Sequence, residues 1–101
     1  MSGFLRTAIR GKRTERALAS ARVLDRAVDN QLACVAGLPA DARERAADHL
    51  AELVLLAQAY RHYANGWISH RELDHRGRRA TARLTELRAA RPTAAHLTER
   101  D

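Results

Sequence analysis

The side chains in this chain best equipped for chemistry are its arginines. Seventeen Arg and one Lys stand against twelve acids, a net charge of +6. They are unevenly spread. Residues 1–16 and residues 67–91 each carry a net +4, and the rest of the chain is neutral or faintly acidic. A guanidinium is planar, permanently charged and able to grip phosphate or carboxylate through paired N–H donors, so a stripe of them reads an anionic surface. Arg76, Arg79 and Arg83 fall at i, i+3 and i+7, which places them on one side of a helix, with Arg71, Arg78 and His75 close by. Arg6, Arg10, Lys12 and Arg13 form the second basic block. The pattern predicts a small non-catalytic protein that binds nucleic acid, DNA or RNA, mainly through phosphates. Such a protein would serve as an accessory subunit of a nucleoprotein complex or as a regulator.

A competing account of the third-helix arginines lies in the same residues. Glu72–Arg76 and Asp74–Arg78 are spaced i,i+4 with the acid first, and Arg83–Glu86 is spaced i,i+3, so three guanidiniums have carboxylates within reach on their own helix. Arg71, Arg79, Arg88 and Arg91 have no such neighbour. The preference for Arg over Lys, beside 21 Ala, also matches the codon usage of a GC-rich bacterial genome.

Other chemistry is thinly represented. Glu72-Leu73-Asp74-His75 has the Glu-x-x-His form of carboxylate di-iron bundles, but a second copy is missing, and no metal is expected. No Gly-rich phosphate loop, nucleophile elbow or zinc-hydrolase motif occurs, so neither enzyme activity nor a cofactor is expected. Cys34, the single cysteine, cannot form an internal disulfide. Its place near a core stripe predicts a buried, inert thiol, and its solitude suits a cytoplasmic location. No apolar run approaches the roughly 18 residues that span a bilayer, and no secretory leader is visible, so no membrane partner is expected.

A second functional reading starts from Leu55. On a helical wheel it projects among polar residues, flanked by Ala51 and Ala59, and this Ala-Leu-Ala strip would seat another helix. The alternative to nucleic-acid binding is therefore a protein-interaction module (adaptor, inhibitor or homodimer) that uses Ala51, Leu55 and Ala59 or the N-terminal arm.

The elements that must position these groups are all helical. High Ala, few β-branched residues and only five Gly and two Pro predict an all-α domain spanning residues 1–101. Its expected form is an antiparallel three-helix bundle, with a basic amphipathic arm (1–13), helices at 14–36, 39–65 and 69–91, and a tail (92–101). Ala17, Ala21, Leu24, Val28, Leu32 and Val35 define the first buried stripe. Leu50, Leu53, Ala57 and Tyr60 belong to the second, and Leu73, Gly77, Ala80, Leu84 and Leu87 to the third. At about 100° per residue, Phe4, Leu5, Ala8 and Ile9 point away from the face of Leu24, Val28 and Val35. The arm is accordingly expected to break at Gly11 and fold back, or else to meet a partner.

The corner Asn65-Gly66-Trp67-Ile68-Ser69 organises the whole chain. Gly66 offers the left-handed residue that ends a helix. Ser69 and Glu72 have capping-box spacing, and Ile68 and Leu73 the spacing of a hydrophobic staple. Trp67, Tyr60 and Tyr63 are expected to plug the space where the helices part. Gly77, lying on a core stripe, is expected to admit a close-packed backbone. Gly66-Trp67-Ile68-Ser69-His70-Arg71-Glu72-Leu73 resembles the corner of many short bacterial helical modules, a likeness of capping chemistry that implies no activity.

Overall fold

The computed structural model describes residues 2–89, with side chains described from residue 11 onward. Three helices make up the described fold: α1 (Ser2–Val35), α2 (Ala40–Ala64) and α3 (His70–Ala89). The expected all-α, three-helix bundle is the architecture found. The tail at 92–101, the Arg91-Pro92 helix stop, and the side chains of Arg6 and Arg10 lie outside the described residues.

The arm is not a separate element. α1 runs through Gly11 without interruption, so the expected break and fold-back do not occur. Gly11 has only open space around its would-be Cβ. One glycine costs a helix about 1 kcal/mol, a penalty that a helix of this length absorbs.

Both corners follow from local chemistry. After α1, the Gly37 and Leu38 amides donate to the Cys34 and Val35 carbonyls at 3.3 and 3.0 Å. Pro39 is extended (φ −57°, ψ 158°), and its carbonyl accepts the Arg43 amide at 2.8 Å, opening α2 with Asp41 in the first turn. After α2, Gly66 takes φ +76°. The Gly66 amide donates to the Tyr63 carbonyl at 3.0 Å and the Trp67 amide to the His62 carbonyl at 2.9 Å, which is a complete Schellman stop. Ser69 Oγ then accepts the Glu72 amide at 3.1 Å. The reciprocal half of the expected box is replaced, because the Glu72 carboxylate accepts from Arg76 Nε at 3.0 Å instead. A charged donor one turn ahead outcompetes a neutral amide.

Packing gives α2 a special place. α1 and α3 both pack closely on α2, whereas no Cα of α1 comes within 8 Å of one on α3 among the described residues. The buried core there is small: Ala17, Ala21, Leu50, Ala57, Ala59 and Ala80. Alanine lets helices approach closely, but each buried methyl contributes only about 0.8 kcal/mol, against about 1.5–3 kcal/mol for a large side chain. The expected stripes are right in direction and too generous in depth. Leu24, Val28, Leu53, Leu73, Leu84 and Leu87 are only half-buried. Leu32 is 52% exposed.

Gly77 also departs from expectation, since nothing lies within 4 Å of where its Cβ would stand. Gly66 and Gly77 should therefore respond oppositely to alanine. Gly66→Ala is expected to lower stability by about 1–2 kcal/mol, the cost of a left-handed L-residue. Gly77→Ala should raise it by up to about 1 kcal/mol. Urea unfolding midpoints moving in opposite directions would meet both expectations.

Candidate functional site

The third-helix arginines occupy two different environments. Arg76, Arg79 and Arg83 line a cleft of about 720 Å³ on the outer side of the α2–α3 seam, where Leu55 and Ala80 form part of the wall. Glu52, Glu72 and Glu86 line the same cleft, so three acids face three bases. The local pairing is explicit: Arg76 bonds to Glu72 at 3.0 Å, and Arg83 to Glu86 at 3.2 Å. Arg76 also reaches His62 Nδ1 at 3.3 Å. Further round the helix, Arg78 holds Asp74 at 2.8 Å. Arg71 and Arg79 join no ion pair among the described residues, and both are exposed, as are Lys12 and Arg13. The sequence stripe is real in position, but most of it is neutralised.

The α2 strip is likewise shorter than expected. Ala51 is exposed and Leu55 is 55% exposed, but Ala59 is 1% exposed and belongs to the core. Val54 beside Leu55 is 49% exposed, so the middle of α2, although held between two helices, keeps one bare side.

The corner aromatics do not form a sealed plug. Trp67 is 71% exposed and leans on the His62 ring, with centroids 5.3 Å apart. Tyr63 meets the edge of His70 at 5.9 Å. Cys34, expected to be buried, is exposed.

A different feature gathers the charge. Because the α1 and α3 backbones stay more than 8 Å apart, a groove is left between them over α2 among the described residues. At the corner end it opens into a concavity of about 490 Å³ lined by Arg13, Arg16, Ala17 and Ser20 of α1, Tyr60 and Tyr63 of α2, and His70 and Leu73 of α3. At the opposite end lies one of about 470 Å³, lined by Gln31, Leu38, Ala42, Arg45, Ala46, His49, Leu87 and Arg88. Among the described residues no acid lines either end. Between them, helical periodicity sets Leu24, Leu53 and Leu84 along the groove, and all three are half-buried.

Arg16, Arg45, Arg88 and His49 were not among the site residues expected from sequence. Their signal was available on the wheel of α2, where Arg45 and His49 lie close to the face of Leu53 and Tyr60. What the wheel lacks is the knowledge that this face stays uncovered. One long-range ion pair also escaped sequence reading: Arg61 of α2 bonds Asp25 of α1, tying the two helices at their half-exposed flank.

Among the described residues no group of three or more His, Cys, Asp and Glu could hold a metal ion, and no helix is long and apolar enough to cross a membrane. No protein-family model matches the chain, and neither a curated protein nor a solved structure does. The cleft geometry yields a measurable expectation. Replacing Arg76 and Arg83 together by Gln should leave the salt dependence of binding to duplex DNA unchanged. Two lost phosphate contacts would instead flatten the log–log slope by about 1.8.

Proposed function

We propose that this chain is a non-catalytic protein-interaction subunit whose open helical face is completed by another protein. The observation that carries this reading is the separation of α1 from α3, which leaves half-buried Leu and Tyr along the floor and walls of a groove. Apolar surface held in a concave, partly desolvated position is where a helix from a partner gains most from burial. The buried core, five Ala and one Leu among the described residues, supports the same reading, because it leaves large apolar side chains with area still to bury. The exposed lone thiol Cys34 suits a reducing compartment, and we place the protein in the cytoplasm.

Nucleic-acid binding stands as the second reading, favoured by the exposed Arg71 and Arg79, which join no ion pair among the described residues, together with Lys12 and Arg13. It ranks below the first because Arg76, Arg78 and Arg83 already hold carboxylates. An isolated exposed pair is worth only about 0–1 kcal/mol, so phosphate could displace a carboxylate, but at the cost of most of its gain.

Site-specific photo-crosslinking in cells separates the two readings. A benzophenone amino acid replacing Leu53 is expected to yield protein adducts, while one replacing exposed Ala47 yields none. Nucleic-acid adducts from position 79 with no protein adduct from position 53 would reverse the ranking.

A further inference from the structure

The ends of the groove say what kind of helix fills it. One end presents Arg13, Arg16 and His70, the other Arg45, Arg88 and His49, with no acid at either. The four arginines are exposed and join no ion pair among the described residues. The outer α2–α3 cleft, by contrast, is lined by as many acids as bases, and two of its three arginines hold a carboxylate. Positive charge without an acid in the same lining therefore stands at both ends of the line of half-buried leucines. Complementary charge at the rim steers encounter and fixes register, while the apolar centre supplies affinity.

We infer that the groove takes an amphipathic helix of a partner protein, apolar along one stripe and acidic at both ends. The inference rests on the protein-interaction reading above and adds the occupant's chemistry and length. The two basic ends are marked on α2 by Tyr60 and Ala46, 14 residues apart, or about 21 Å at 1.5 Å per residue. The occupant's acidic groups must then lie about four helical turns apart. A second copy of this chain is a poor occupant. Both ends of the groove are basic, so laying one groove on another sets Arg against Arg in either orientation, a like-charge juxtaposition that complementary interfaces avoid.

The test uses the full chain and a fluorescein-labelled synthetic helix of about 18 residues with a leucine stripe and two Glu at each end. Anisotropy should show binding, weakened about tenfold when the four Glu become Gln, or when Arg45 and Arg88 become Gln. These arginines are exposed, so their removal leaves the fold intact, which circular dichroism would verify. Leu53→Asp should abolish binding. Binding that ignores both the Glu→Gln and the arginine changes would overturn the inference. So would concentration-dependent dimerisation that the peptide competes away, which would assign the groove to a second copy. Displacement of the peptide by single-stranded RNA or DNA would assign it to nucleic acid and overturn it equally. Protein adducts from position 53 without peptide binding would remove only the acidic helix. Absence of those adducts would remove the interaction reading beneath it.

Discussion

Everything distinctive in this fold depends on how α2 is held. Two helices pack on it, and among the described residues their own Cα atoms stay more than 8 Å apart. The contact points are mostly alanines, Ala17 and Ala21 on α1, Ala57 and Ala59 on α2, Ala80 on α3, which permit close approach without filling volume. Small residues at the seams and large ones beside them produce a particular result. Each outer helix lies close to α2, while Leu24, Leu53 and Leu84 stay only half-buried.

That arrangement redistributes the electrostatics. A third helix with six arginines would be an anion-binding face if they were free. Instead its acids sit one turn away and on α2, so the outer cleft is balanced, with Glu72 and Glu86 each holding a guanidinium. The uncompensated charge comes from residues on three different helices, brought together only by the fold. Arg16 and Arg88 are remote in sequence and belong to the same groove at opposite ends. Local spacing explains which arginines are neutral; tertiary packing explains which are available.

The same distinction marks how far the sequence could be read. Helix type, the second corner and all three local ion pairs of α3 follow from spacings of three and four residues, and Gly66 and Ser69 do at the corner what their chemistry requires. The misses are of another kind. Gly11 looked like a break because two apolar faces disagreed, yet backbone hydrogen bonding carries α1 straight through. Gly77 looked like a close-approach site because it lay on the core stripe, but the stripe borders open space there. Spacing puts Ala59 on an exposed strip, yet it is core, and puts Cys34 beside the core, yet it is exposed. A wheel gives the direction of a side chain and not what stands opposite it, so each error concerns a neighbouring helix.

The central claim is that the face of α2 between α1 and α3 is open, and the most direct measurement is solvent access to its methyl groups. NMR signals of Leu methyls, attenuated by a soluble paramagnetic agent, would report it residue by residue. The account predicts that Leu50, at 5% exposure, is protected while Leu53, Leu24 and Leu84 are attenuated in the free chain. Leu53 as well protected as Leu50 would mean that α1 and α3 close over α2, leaving no groove for a partner to fill.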